Sequence, residues 1–505
     1  MSKVKILLFL QFIIFTAMPA LAQVDTGWVR RYNGPGNDND RASALAVDSS
    51  GNVYVTGESY GSETYSDYAT IKYNSNGDTL WVRRYNGPAN GDDRASALAV
   101  NDSGNVYVTG HSSGDGSYFD YATIKYNSKG DTLWVSRYYG PANSDDATSA
   151  LVVDGSGNVY VTGASYGSGT SSDYATIKYA PNGDSLWVRR YNGPGNGYDF
   201  ATALTVDDSG NVYLTGRSVG SGTSYDYATL KYAPNGETLW VRRYNGPANG
   251  DDEASALIVD DSGNVYVTGN TATIKYSPNG DSSWVRSYGV WGSALALDSS
   301  GNVYVTGLGG VANYTTIKCA PDGDSLWVRR YNGLWDVGVG ASALALDNSG
   351  NVYVTGPADY FCVVECWGYN YTTLKYSPNG DSLWFRIDHG PGGLARATAL
   401  AVNDSGNVYV SGYSWGGASV DFVTIKYVQY NCIAKPGDAT GDGSVFVPDV
   451  VSLINFIFRS QRAPSPLCSG DADGNGDVML ADIVYLINFI FKSGPAPVKS
   501  LECCL

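Results

Sequence analysis

The sequence predicts a mostly β protein: an eight-bladed β-propeller of four-stranded blades, followed by a small α-helical module built on calcium-type (EF-hand-like) loops. Three observations lead there. The phrase ASALAVDSSGNVYVTG at residues 42–57 recurs with small changes, its Asn-Val-Tyr beginning at Asn52, Asn105, Asn158, Asn211, Asn264, Asn302, Asn351 and Asn407. Phrases close to WVRRYNGP and ATIKY alternate with it, once per copy. After Tyr430 this pattern stops, and two Asp- and Gly-rich stretches ending in LINFIF take over. The first five copies lie 53 residues apart, a period typical of solenoids, propellers and arrays.

Residues 1–22 read as a secretory signal peptide. Lys3 and Lys5 precede the apolar stretch 6–15, and Ala20-Leu21-Ala22 is an A-x-A cleavage site. The mature chain then starts at Gln23, and a secreted or cell-surface protein is expected. No later stretch reaches the ~20 apolar residues that cross a bilayer, so no membrane span is expected.

Residues 24–430 hold the repeats. Each unit has four strand-like runs, SALAVD, NVYVTG, TIKY and WVRRY, separated by Gly, Asn and Asp. β-Branched and aromatic residues suit a pleated surface, and four short strands per unit fit a propeller blade. In SALAVD, Leu45 and Val47 face one side, and Ala44 and Ala46 the other. A strand apolar on both faces and small on one suits the crowded axis. It is therefore the innermost strand, A, with NVYVTG, TIKY and WVRRY following outward as B, C and D. The repeats open on a D strand at 28–32 and close on a C strand at 423–427. The first D strand should complete the last blade and remove a free sheet edge.

Connections A–B (48–52) and C–D (74–78) are tight hairpin turns, whereas D–A (86–93) and B–C (58–67) are long. In an up-and-down blade the long pair emerges on one side. It forms a rim rich in Tyr, Asp, Asn and Gly, suited to a carbohydrate or peptide ligand. Asp67, Asp120, Asp173, Asp226 and Asp421 each precede a C strand. Such regularity points to a blade's own bonding, to Lys, Arg or a neighbouring loop. The pairs Asp92-Asp93, Asp145-Asp146 and Asp251-Asp252 are candidates for a rim cation. A site needing one asymmetric constellation belongs where repeats break. Unit five loses most of its B–C loop, unit six shortens its D–A loop to 289–292, unit seven inserts Cys362 to Trp367, and Trp335-Asp336 alters the loop before that insertion. Trp291, Trp335, Trp367 and Trp415 are the aromatic candidates for a pocket there.

The formal net charge of -16 repels phosphate backbones, so nucleic acid is not an expected partner. The two histidines, His111 and His389, read as surface loop residues. The six glutamates form no acid/base spacing, and no nucleophile-elbow, zinc or phosphate-loop motif occurs. Catalytic residues stay unknown: a glycosidase needs two placed carboxylates, and nothing selects a pair among the many Asp.

Residues 432–497 form the second module, with a Cys-containing tail at 498–505. Residues 437–458 read GDATGDGSVFVPDVVSLINFIF, and 470–491, 33 residues on, read GDADGNGDVMLADIVYLINFIF. Calcium takes six to eight hard oxygens, and a loop of this type supplies them from positions 1, 3, 5, 7 and 12 with Gly at 6. The candidate ligands are Asp438, Thr440, Asp442, Ser444 and Asp449 in the first loop, and Asp471, Asp473, Asn475, Asp477 and Asp482 in the second. Two Ca2+ sites are expected. Val450, Leu453, Ile454 and Ile457 form one helical stripe, and Ile483, Leu486, Ile487 and Ile490 another. Cys432, Cys468, Cys503 and Cys504 bracket the module; their connectivity is open. Cys319 replaces the Tyr of a TIKY and reads as a buried thiol.

The AxAxDxxGNVYVTG stretch resembles the bacterial SBBP repeat, whose family name denotes a seven-bladed β-propeller. Seven blades therefore stay open as the alternative, with one of the eight units displaced. The tail resembles a type I dockerin: a duplicated Asp-rich loop with Asp at position 12 and one helix per loop. That resemblance implies docking onto a cohesin module on a scaffold or cell surface through residues 432–497. Val447-Pro448 and Leu480-Ala481 stand where cellulosomal dockerins carry a hydroxyl pair, which leaves another surface module, or self-association, open. The expected function is a secreted, non-catalytic binding or scaffold protein. The alternatives are a polysaccharide-degrading glycoside hydrolase tethered by the dockerin-like module, and a structural cell-surface component.

Overall fold

Each repeat folds into one antiparallel sheet in which every run pairs with the run that follows it in sequence. The computed structural model describes residues 23–497, apart from 115–117, 311–312, 333–339, 363–365, 390–393, 431–436, 441–443, 460–462, 465–466, 474–477, 493–494 and the side chains of 359–369. Strand β1 is Gln23–Tyr32; β2 (Asp40–Val47), β3 (Val53–Tyr60), β4 (Ser66–Tyr73) and β5 (Thr79–Tyr85) make blade one in the order β2-β3-β4-β5. Seven more four-stranded sheets follow, and β1 joins the last of them beside strand Val420–Tyr430. The propeller thus has eight blades, not seven, and its first strand completes its last blade.

Strand A is innermost, as its small residues require, and each A strand contacts the A strand of the next blade around the ring. A bulge between Ala42 and Ala44 turns Ser43 out of the ladder. Its hydroxyl donates to the Ala95 carbonyl of blade two at 2.7 Å. Ser96 repeats this onto Thr148, Ser149 onto Ala201 and Thr202 onto Ala254. Thr398 of blade eight closes the circle on Ala42 at 3.0 Å.

The outer core is a chain of unlike faces. Tyr54, Tyr68 and Trp81 of blade one pack on Val106, Val108 and Ile124 of blade two, while Leu98 and Val100 join the same cluster. Ala97 and Ala99, on the other face of that A strand, pack into the next cluster with Tyr107 and Val159. Trp81 sits between Tyr54 of its own blade and Tyr126 of the next, at 6.3 and 6.1 Å, and its indole N–H donates to the Ser128 carbonyl at 3.3 Å. Lys72 lies over the Tyr54 ring, 5.0 Å from its centre, and its ammonium reaches the same Ser128 carbonyl at 3.2 Å. The Tyr68 hydroxyl donates to Ala122 at 3.2 Å. The recurring Trp, Lys and two Tyr are therefore one device, which ties each blade to its successor.

In blade one the B and C strands run further than the sequence suggests. Their ladder continues from Glu58↔Tyr68 to Tyr60↔Ser66, so the B–C loop is 61–65. Extending the ladder satisfies backbone groups that a ten-residue loop would leave to solvent.

The chain divides into two compact units, Asp25–Val428 and one that contains the helices of Gln429–Leu505. Helices α1 (Val447–Arg459) and α2 (Leu480–Lys492) bury Val450, Leu453, Ile483 and Leu486 together with Val445, Ala439 and Ala472.

Candidate functional site

Blade geometry sends the D–A and B–C connections to one rim, where most recurring charges turn out to be structural. Asp67, Asp120, Asp173 and Asp226 each receive an arginine of their own blade: Arg84 at 2.7 Å, Arg137 at 2.6 Å, Arg190 at 2.9 Å and Arg243 at 2.7 Å. Arg31 of β1 stands 3.8 Å from Asp421. Arg84 also donates to the Ser59 hydroxyl of its own blade and to the Tyr32 hydroxyl of blade eight.

The paired aspartates serve different blades. Asp92 accepts the Ser66 hydroxyl of blade one at 2.7 Å, while Asp93 is buried under its own D–A loop and accepts Gly87 N–H at 2.6 Å and Ser113 N–H at 3.1 Å. Asp40 and Asp199 take the same pair of amides. Burial raises the carboxyls of Asp40, Asp93 and Asp199 above the ordinary range, and the amide and serine bonds oppose it.

Asp146 is the exception. In blades one, two, four and five the D–A loop is held by an Asn–Asn bond such as Asn33 to Asn37 at 2.6 Å. Unit three has Tyr139 at the first of these positions. There Gly140 adopts φ +52°, and Asp146 keeps the Tyr166 amide while its Oδ2 is buried without a partner. Burial pushes this carboxyl up to about 7.

Where the repeats break, the rim opens. Blade five's B and C strands shrink to Val265–Gly269 and Thr273–Tyr276. Blade six's A strand, Val290–Leu297, follows only three residues after the preceding D strand, Ser282–Arg286. The missing turns leave a cleft of about 340 Å³ lined by Asn270, Thr271, Ser287, Gly289, Trp291, Leu308, Gly309 and Gly310. Trp291 is 64% exposed. Of the other expected aromatics, Trp415 is half-buried at the end of a B strand; Trp335 and the Trp367 side chain, like the insertion at 363–365, lie outside the described residues.

One of the two histidine expectations needs adjustment, and the other holds: His389 lies in an exposed loop. His111 is in a strand, Val106–Ser113, not a loop; its ring stacks edge-on against Phe119 at 4.9 Å, and burial lowers its pKa to about 4. His389 is exposed, with Nδ1 3.0 Å from Asn370 Oδ1. Cys319 is a buried free thiol, raised to about 11 by burial.

In the helical unit the position-12 aspartates are buried and act alike. Asp449 accepts Thr440 N–H at 3.0 Å, the Thr440 hydroxyl at 2.9 Å and Phe446 N–H at 2.8 Å. Asp482 accepts Ala472, Asp473 and Met479 N–H at 2.7, 3.1 and 2.7 Å. Carboxylate oxygens of Asp471, Asp473 and Asp482 lie within 4.8 Å of one another. Three converging hard-oxygen donors, two of them on buried residues, fit a divalent cation, which would offset their mutual repulsion. Asp438 is buried beside Thr440, and Ser444 is half-buried. Asp442, Asn475 and Asp477, with Cys432, Cys503, Cys504 and the Cys468 side chain, lie outside the described residues. Among those described, no helix is long and apolar enough to cross a membrane.

Ring closure, the hydroxyl belt and the rim define a β-propeller protein. The SBBP family model, described as a beta-propeller repeat, matches residues 27–63, 186–222, 239–273 and 285–315. No curated protein matches the chain. Among solved structures, a protein of unknown function from Bacteroides caccae is 12% identical, covering 53% of this chain and 90% of its own, with a TM-score of 0.32. A structure titled as the eukaryotic initiation factor is 7% identical, covering 69% of this chain and 88% of its own, with a TM-score of 0.36. The extracellular domain of a one component system from B. thetaiotaomicron is 11% identical, covering 76% of this chain and 51% of its own, with a TM-score of 0.36.

Proposed function

We propose that this chain is an exported, non-catalytic binding protein. The propeller holds a ligand on its long-loop rim, and the tail attaches the protein to a surface partner through a calcium-dependent contact. One observation carries the reading: recurring rim carboxylates are bound to arginines or backbone amides, and a ligand-sized cleft lies where the repeat breaks. A glycoside hydrolase needs two carboxylates placed about one sugar, and those bound in this way are not available for that work.

In the tail, Asp438, Thr440, Asp442, Ser444 and Asp449 would hold one Ca2+, and Asp471, Asp473, Asn475, Asp477 and Asp482 the other. The ion supplies positive charge where carboxylates converge; the chain's own amides fix Asp449 and Asp482. Val447, Val451 and Phe458 on α1 and Leu480, Val484 and Phe491 on α2 are exposed. These matched apolar residues suit a protein partner, a cohesin-like or other surface module.

The test is to apply the full chain to a glycan array with a reducing-sugar assay, in calcium and in EGTA. Retained glycan without product is expected. EGTA should leave that binding intact while amide exchange in α1 and α2 accelerates. Product release would overturn the non-catalytic reading, and unchanged exchange would remove calcium from the tail.

A further inference from the structure

Trp291 occupies a position that charge fills elsewhere. In blade one the matching rung pairs Arg41 with Glu58, bonded at 2.9 Å. In blade six the same rung pairs Trp291 with Leu308, and Val290 replaces the buried Asp of the A strand. A charged, self-satisfied rung has become an apolar one, and the two trimmed loops that would cover it are gone. A 64% exposed indole contributes little to packing. It is not needed for the blade-to-blade contact either, which in this blade is made by Tyr304, Tyr314 and Trp327.

The surroundings narrow what such an indole could meet. Among the described residues the cleft lining contains no charged side chain, although the chain as a whole carries -16. Asn270 is fixed by its bonds to the Asp251 carbonyl at 2.8 Å and the Glu253 amide at 2.8 Å. Its carboxamide keeps a second N–H. The Thr271 hydroxyl is held against Asp252, so blade five supplies a rigid polar edge. Ser287 is exposed on the opposite lip. A Cβ added at Gly289 or Gly310 would meet nothing within 4 Å, so the floor is open backbone. At about 340 Å³ the cleft falls at the small end of the ~300–1,000 Å³ range of ligand sites.

We infer that this cleft binds a sugar ring of a neutral glycan: the ring's C–H face stacks on Trp291, and its hydroxyls meet Asn270, Thr271 and Ser287. A flat, uncharged ring with an apolar face and a hydroxylated edge matches one aromatic wall and neutral hydrogen-bonding groups. A charged peptide would find no counter-charge within the lining. The inference rests on the rim-binding reading above and assigns it a place and a ligand class.

The test titrates the full chain with cellohexaose, xylohexaose and mannohexaose, reading intrinsic tryptophan fluorescence and calorimetric heat. At least one should bind. Trp291→Ala should weaken it about ten-fold or more, a change of ~1.4 kcal/mol, with the melting temperature unchanged. A second variant, Trp291→Arg with Leu308→Glu, rebuilds the blade-one rung and should abolish binding while keeping the sheet. Binding that survives both variants overturns this cleft but leaves rim binding standing. If the three sugars fail while an unstructured peptide library binds and quenches Trp291, the sugar class is overturned and the rim reading survives. If neither sugars nor peptides bind, both fall.

Discussion

Replacing Trp28 by Ala is expected to destabilise the propeller as much as replacing Trp81, by about 3–5 kcal/mol. Trp28 lies in the first described strand, where a substitution is ordinarily tolerated. The ring changes its role. β1 is the outer strand of blade eight, and Trp28 packs between Tyr409 of that blade and Tyr73 of blade one, at 6.2 and 5.9 Å. Its indole donates to the Ser75 carbonyl at 3.1 Å, as Trp81 does to Ser128, and both side chains belong to residues 8% exposed. Deleting 23–32 should be worse, since it strips a strand from one sheet, uncovers its edge and breaks one blade interface. Urea denaturation of W28A and W81A side by side measures this. A near-neutral W28A would mean that the first strand does not close the ring.

The second large effect concerns Asp146. Its carboxyl is raised from 3.8 to about 7, a difference of about 4 kcal/mol as an upper limit. The native state therefore holds its proton more tightly than the unfolded chain does. The stabilisation is complete below the unfolded value and is lost as pH rises through about 7, when an unpaired buried carboxylate must form. Asp146→Asn mimics the protonated acid. It should match the wild type near pH 4 and exceed it by ~2–4 kcal/mol at pH 8. Tyr139→Asn should act in the same direction by restoring the loop lock and the Gly140 amide. Denaturant melts of both variants from pH 4 to 8 provide the comparison; parallel curves for wild type and D146N would show that Asp146 does not titrate with folding.

Much of the architecture was legible because the phrase is repeated. One strand-sized run is ambiguous, but eight copies with constant A–B and C–D turns allow one reading, and SALAVD betrays the axis by its alternating small and large residues. The aspartates before strand C were legible as bonding groups for the same reason. The partner was not named, because Arg84 meets Asp67 through sheet register rather than sequence proximity. His111 was misplaced because the B strand runs past the expected loop start, a length set by ladder pairing with strand C. The orphaned oxygen of Asp146 has a trace in the sequence: Tyr139 stands where the loops before blades one, two, four and five carry Asn. Trp291 was visible as an aromatic at a break, but its exposure depends on two loops from adjacent blades being short together.

Cryo-electron microscopy of the full chain, viewed down the ring axis, bears most directly on the architecture. Top views should show eight spokes around one axis, with one shallower notch between neighbouring spokes where blades five and six meet. Seven spokes, or an open arc with a gap between the first and last sheets, would contradict the account.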